Sequence, residues 1–374
     1  MSAEKFNVLG AVGAILAFCI GAGFATGQEV MQFFVAYGSW GFAGAVISFV
    51  IYVFMCTSFM AAGRKIQGDN EVAIFTYFAG RRLGRLFDWY TLLLLFMVYI
   101  VMLAGAGSVF EDYFNLPSFI GRLAISIIVV ITVAVGFQRL TAVLGVLGMG
   151  IIVGVLIVAG AGILNRPDGL ADVPAELFDS LMPSSSSWWL SGILYASFMS
   201  LPLAAFLAAL GRRADSAQQG RRTAIAGSVA FCFSVAIVAL SLTMNLEVVA
   251  SEPVPLLALA NELVPAVAVV FSTFLIAAIY TTAAALLWSI CNRFTIDGSR
   301  RMFLVATALA VAAFLVSFFP FIELVNFVYP SSGWVGIAFL VFVASKLFAR
   351  SFRQSNSSRS ATDLETKATH EREE

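Results

Sequence analysis

Two adjacent hydroxyls, Thr281 and Thr282, sit in the middle of a long apolar segment at about 263–292. Hydroxyl and carbonyl oxygens are hard ligands that suit a cation such as sodium, and they need no formal negative charge to do so. A threonine in an apolar helix also has a plainer use, bonding back to a carbonyl one turn earlier. A second chemical feature is the run Gly21-Ala22-Gly23-Phe24-Ala25-Thr26-Gly27, followed at once by Gln28 and Glu29. Apolar character around it extends from about Phe6 to Tyr37, whereas a helix needs only about 20 residues to cross a bilayer. The three glycines of the run and the carboxylate just after it predict two half-helices joined by unwound backbone. Such backbone at membrane depth is tolerated where it is buried in protein or lines a cavity.

A break here frees the last carbonyls of the incoming half-helix, from about Ala17 and Ile20. They carry the negative end of a helix dipole and suit a small cation. The outgoing half-helix, expected to start near Thr26, points free N–H groups at the same place, which suits a carboxylate or phosphate. Close helix packing is the competing use of the glycines. Gly21 and Gly23, two residues apart, face different directions on a helix, which weakens that alternative.

A second interruption, Ser197-Phe198-Met199-Ser200-Leu201-Pro202, falls inside the apolar segment 188–211. Ser200 is expected to cap a half-helix starting near Leu201, with Pro202 in its first turn freeing a carbonyl near Phe198. An ordinary proline kink is the alternative. Glu29 is costly if ionised at membrane depth, which points to a gate or a proton-coupling group. Lying about two turns from the outer end of its segment, it can also serve as a solvated rim residue.

The elements that must position these groups follow from composition. Hydrophobic residues make up 60% of the chain and charged residues 12%, and mean hydropathy is +0.93. Soluble domains run near 45–50% apolar and about 25% charged, so the expectation is an all-α polytopic membrane protein. Windows of about 20 residues give ten apolar segments: 6–37, 40–62, 88–110, 118–136, 140–163, 188–211, 222–245, 263–292, 301–319 and 321–346. Arginines and lysines collect in alternate connections. Arg64, Lys65, Arg81, Arg82 and Arg85 lie in 63–87, Arg139 in the 137–140 turn, Arg212, Arg213, Arg221 and Arg222 in 212–222, and Arg293, Arg300 and Arg301 in 292–301. The opposite connections are nearly free of them. Loop 164–187 has only Arg166 against Asp168, Asp172, Glu176 and Asp179, and 246–262 has none. The positive-inside rule then puts both termini in the cytoplasm and the chain in the plasma (inner) membrane.

Ten spans divide into five plus five: 1–163 as one repeat, 164–187 as an extracellular acidic loop, 188–347 as the second repeat, and 348–374 as a disordered cytoplasmic tail. An odd number per half inverts the second relative to the first. Two features fit such an inverted repeat. Each half opens on an interrupted segment, and each carries a short helix-like piece between its second and third spans, at Glu71–Gly80 and Pro253–Leu263.

Other chemistries find little support. The four cysteines, Cys19, Cys56, Cys232 and Cys291, lie in or at the edges of apolar segments, and the single histidine, His370, is in the tail. A disulfide framework and a zinc or haem centre are therefore not expected. The basic residues lie in short loops, which leaves no nucleic-acid footprint. No nucleophile motif or His/Asp/Cys cluster supports catalysis, so the chain is not expected to be an enzyme. The stretch Phe6–Ile20 is not expected to be a cleaved signal peptide.

The early break, the five-plus-five spans and the threonine pair in span eight resemble the LeuT-type fold of the amino acid–polyamine–organocation superfamily. More narrowly, "IGAGFATGQEVMQFF" is similar to the YkvI-type membrane proteins. The resemblance implies a sodium site between spans one and eight, with carbonyls of Ala17, Ile20 and Ala278 and hydroxyls of Thr281 and Thr282 as ligands. It implies a substrate lying against Gly21, Ala22, Gly23 and the break at Ser197, Phe198 and Ser200, with Tyr99 of span three as a lid or contact. Phe24 stands where some relatives place an asparagine ligand of a second sodium, so one sodium is expected. No lysine occurs in 140–163 to replace it. The resulting expectation is a secondary active transporter working by alternating access, bringing in an amino acid or related small zwitterion by sodium-coupled symport, amid membrane lipids and no nucleic acid. A proton-coupled transporter using Glu29 and a transporter-fold receptor or sensor are the alternatives.

Overall fold

A computed structural model describes residues 6–66, 72–135, 141–170 and 173–370. Arg139, Asp172 and Glu71, used above, lie outside the described residues. Within them the chain is helical, with no strand. Helix α1 (Val8–Cys19) begins where Asn7 Oδ1 accepts hydrogen bonds from the N–H groups of Leu9 and Gly10 at 3.1 and 3.3 Å. A short helix α2 (Ala22–Thr26) and α3 (Gln28–Phe33) follow. Their junction, Gly27, has φ +85, a left-handed value that favours glycine. A tight 3-10 turn at Val35–Tyr37 leads into α4 (Ser39–Gly63).

The rest of the first half is α5 (Val72–Asp112), α6 (Ser118–Val135), α7 (Thr141–Asn165) and the short α8 (Ala175–Asp179). Gly80 is non-helical and divides α5 into a short piece and a long membrane segment, as the expected helix between spans two and three requires. The second half contains α9 (Trp188–Phe198), α10 (Ser200–Arg213), α11 (Ala217–Met244), α12 (Leu246–Val249), α13 (Pro255–Leu263), α14 (Pro265–Asn292), α15 (Arg300–Val316) and α16 (Phe321–His370). Ser216 and Ser299 cap α11 and α15 by accepting from the N–H groups of Gln219 and Met302. Proline opens α13 and α14, where its missing N–H costs nothing.

Five helical stretches are long and apolar enough to cross a membrane: Ser39–Gly63, Ala73–Asp112, Ala217–Met244, Pro265–Asn292 and Phe321–Ala349. The bent pair α9–α10, with 46° between its halves, gives a sixth. Shorter apolar helices occur at Val8–Cys19, Ser118–Ala134 and Gly150–Asn165.

Three expectations need correction. The outgoing half of the first segment starts at Ala22, because only Ile20 and Gly21 are unwound, and a second bend at Gly27 follows. Ser200 does not cap α10: its hydroxyl donates to the Ser197 carbonyl at 2.6 Å, and Met199, in helical conformation, precedes the helix. The predicted tail from 348 continues α16 as far as His370, since 351–370 contains neither glycine nor proline to stop a helix.

Small residues bring the helices together. A Cβ on Gly336 of α16 would overlap the Ser197 carbonyl, and one on Gly333 would come within 2.9 Å of the Leu194 carbonyl. Helices α9 and α16 therefore touch backbone to backbone along one seam, a geometry that membrane helices reach through small side chains. Helix α4 meets α10 in the same manner at Gly63 and Gly211.

Candidate functional site

The first break is built from the end of α1 and the start of α2. Ile20 leaves the helix at φ −87, ψ 76, and its N–H still donates to Leu16 at 2.7 Å. Among the described residues, no donor reaches the carbonyls of Ala17 or Ile20. Helix α2 packs on α14 and α5. Thr282 of α14 is the nearest side chain to Gly21, with Oγ1 and Cγ2 each 3.8 Å from where a Gly21 Cβ would sit. Thr281 Oγ1 donates to the Ala278 carbonyl at 3.0 Å. This is the plainer use foreseen for a threonine. It also sets two of the five implied ligand oxygens side by side on α14. The end of α1 and the threonine pair of α14 thus lie on either side of Gly21, and the groups they offer there are oxygens.

Gly23 faces a different neighbour. A Cβ on it would overlap Glu29 Oε1 and come within 2.7 Å of the Tyr329 hydroxyl. The Glu29 carboxyl and the Tyr329 hydroxyl therefore face each other across Gly23. The bend at Gly27 makes this possible by turning α3 so that Glu29 lies back over α2. Glu29 is 7% exposed, so the rim alternative does not describe it: it is a buried polar group partnered by α16.

The second break lies against the same helix. The Phe198 ring stacks on Tyr329 with centroids 4.9 Å apart, and Tyr195 meets Phe198 edge-on at 5.6 Å. Tyr52 of α4 lies 6.5 Å from Tyr195 and 5.0 Å from Phe231 of α11. The hydroxyls of Tyr52, Tyr195 and Ser197 are buried and, among the described residues, have no hydrogen-bond partner. Buried hydroxyls are seldom left so. Glu29, Phe198 and Gly23 are thus brought together around Tyr329, while Gly21 is joined to Thr282. Tyr99 is fully buried beside Ser126 of α6, toward Cys291 of α14.

Tyr329, Tyr195 and Tyr52 were missed in the sequence. For Tyr329 a signal existed, since Tyr329-Pro330 sits inside an apolar segment.

A serine strap links the two interrupted segments. Ser184 N–H donates to the Gln32 carbonyl at 3.0 Å, and Ser191 Oγ donates to the Phe33 carbonyl at 2.6 Å. Ser184 and Ser191 share a 2.6 Å hydroxyl contact, and the Tyr37 hydroxyl donates to the Ser185 carbonyl at 2.7 Å.

No protein-family model matches the chain. It is 24% identical over 326 residues to the uncharacterized membrane protein YkvI of Bacillus subtilis (strain 168), covering 86% of this chain and 90% of the relative. It is 24% identical over 332 residues to the uncharacterized protein YyaD of the same organism, covering 87% and 93%. Among solved structures it is similar to MhsT in complex with L-phenylalanine, with TM-score 0.60, 15% identity and coverage of 90% of this chain and 88% of that one. The Eremococcus coleocola manganese transporter in complex with an aromatic bis-isothiourea substituted compound matches with TM-score 0.55 and 14% identity, covering 90% and 76%. The fold is therefore that of LeuT-like transporters, and the chain is a membrane protein. None of these relatives is described as an enzyme.

Proposed function

We propose that the chain is a secondary active transporter that moves a small zwitterion, an amino acid or a close relative, together with sodium. The observation that carries this reading is the join at the first break, where α1 ends on carbonyls of Ala17 and Ile20 that no donor reaches among the described residues and Thr282 faces Gly21. Sodium would be held by the carbonyls of Ala17, Ile20 and Ala278 and the hydroxyls of Thr281 and Thr282. The substrate's carboxylate would lie at the first-turn N–H groups of α2, against Gly21, Ala22 and Gly23. Ser197, Phe198 and Ser200 would form its second wall. Ten spans in a five-plus-five inverted repeat, with both termini cytoplasmic, would let the interrupted spans rock against the rest. The MhsT complex with L-phenylalanine supports an amino acid as cargo by analogy of fold.

The test needs no known substrate. Melting temperature is compared in NaCl and KCl at equal ionic strength. A ligand at ten times its Kd stabilises the folded state by about 1.4 kcal/mol. The expected result is a sodium-specific rise that Thr281→Ala with Thr282→Ala abolishes. Equal curves in the two salts would overturn the sodium site.

A second reading has its own observation. Glu29 is buried against Gly23 and faces the Tyr329 hydroxyl, between the two breaks. A carboxyl so placed is suited to carry a proton with the substrate in place of sodium.

A further inference from the structure

At the arginine-rich end of the bundle, a cavity of about 590 Å³ opens between the start of the long α5 segment and the end of α14. The chain makes it by a sharp turn. Gly80, at φ 77, separates the short helix 72–79 from the long one. The short piece folds back so closely that a Cβ on Gly84 would come within 2.6 Å of the Thr76 backbone, and Thr76 forms one wall. Beyond Gly80, Arg81, Arg85, Asp88 and Trp89 recur at helical spacing, and all four line the cavity. Arg293 lines it from the α14 side and pairs with Asp88.

That pair decides the charge. Asp88 is the acidic residue of the lining, and Arg293 neutralises it. Arg81 and Arg85 remain, both exposed, and among the described residues neither makes an ion pair. Two guanidinium forks one turn apart match the oxygens of a phosphate. Arg81 opens the long helix, whose first-turn backbone N–H groups favour an anion as well. Above them the same helix face turns apolar. Trp89 and Leu93, one and two turns beyond Arg85, are 58% and 51% exposed, and Trp89 lies against Phe294 with ring centroids 5.9 Å apart.

A cationic floor under an apolar stripe calls for a ligand with a phosphate at one end and hydrocarbon at the other. We propose that this cavity binds an anionic glycerophospholipid, its phosphate held by Arg81 and Arg85 and an acyl chain lying along Trp89 and Leu93. A free phosphate ion would satisfy the arginines and leave the stripe uncovered. Basic pockets between membrane helices take such headgroups through the same balance of charge and apolar area. The proposal needs a membrane protein and nothing of the transport reading.

Native mass spectrometry of the full chain in detergent, with added phosphatidylglycerol, phosphatidylcholine or inorganic phosphate, tests it. The wild type is expected to retain phosphatidylglycerol over phosphatidylcholine, and Arg81→Gln with Arg85→Gln to lower that retention about tenfold or more. Arg82→Gln, a neighbouring charge outside the lining, is expected to behave as wild type. Equal retention of the two lipids overturns the proposal. So does an equal loss in Arg82→Gln, which would mean bulk charge. Displacement of the lipid by millimolar inorganic phosphate would mean a free-anion site and overturn the lipid assignment. Should the double variant fail to fold, Arg85→Gln alone is read in the same spectra. A loss of about threefold or more is expected from that single charge, and wild-type retention overturns the proposal.

Discussion

The Glu29 carboxyl and the Tyr329 hydroxyl face each other over the bare Cα of Gly23, so α3, α16 and α2 meet at one point. Helices from the two ends of the chain are joined there by side chains that a Cβ would displace. Both break regions touch this join, Gly23 directly and Phe198 through its stack on Tyr329.

Gly23→Ala and Gly21→Ala should therefore differ. A methyl at Gly23 overlaps Glu29 Oε1 and has to displace Glu29 and Tyr329, at a cost of about 1–3 kcal/mol typical of overpacking. At Gly21 the nearest atoms are 3.8 Å away, an ordinary contact. Gly21→Ala should melt as wild type in KCl and lose part of the sodium-specific rise, because its methyl stands beside Thr282 Oγ1. An intact sodium response in Gly21→Ala would move the cation away from Thr282.

Glu29→Gln keeps the size of the side chain and still accepts from Tyr329, so the fold should hold. The melting temperature of this variant should depend less on pH than that of the wild type, while its sodium response persists. Superimposable pH curves would make Glu29 a packing group and remove the proton-coupled reading. Tyr329→Phe should cost about 1–3 kcal/mol, since it strands a buried polar group.

Gly336→Ala and Gly160→Ala form a matched pair inside helices. At Gly336 the overlapped atom is the Ser197 carbonyl oxygen, which has no side chain's freedom to move away. A loss of about 3 kcal/mol or more is expected, with α9 and α16 forced apart. At Gly160 nothing lies within 4 Å, and alanine should stabilise by about 0.5–1 kcal/mol through helix propensity. Thermal melts of the two variants read the difference directly.

Asp88 and Arg293 clamp α5 to α14 with side chains 14% and 23% exposed. Asp88→Asn or Arg293→Gln alone should cost about 1–3 kcal/mol by leaving a half-buried charge without its partner. The exchanged pair, Asp88→Arg with Arg293→Asp, should recover part of that loss. A double-mutant cycle with no coupling would show that the pair contributes nothing.

Much of the fold was legible because lipid imposes long apolar runs, and glycine and proline punctuate them. The break after Ile20, the bend before Pro202 and the helix Pro255–Leu263 all follow from local sequence. The meeting of Glu29 with Tyr329 did not, because no period links residues so far apart. The start of α2 was misplaced because a single turn, Ala22–Thr26, fits between two glycine bends that read as one loop. Ser200 looked like a cap by residue type; Met199 stays helical, so its hydroxyl turns back to Ser197 instead. Tyr99 came from the resemblance alone, and no period in the sequence links it to its neighbours Ser126 and Cys291.

The serine strap has a mechanical meaning. Phe33 belongs to the first interrupted segment and Ser191 to the second, and their 2.6 Å bond, with Ser184 bridging both, ties the two arms into one yoke. Neither arm can swing alone without surrendering those bonds. The bends at Gly21 and Met199 lie inward of the yoke, like two elbows hung from a single crossbar. Whatever opens one of them drags the other.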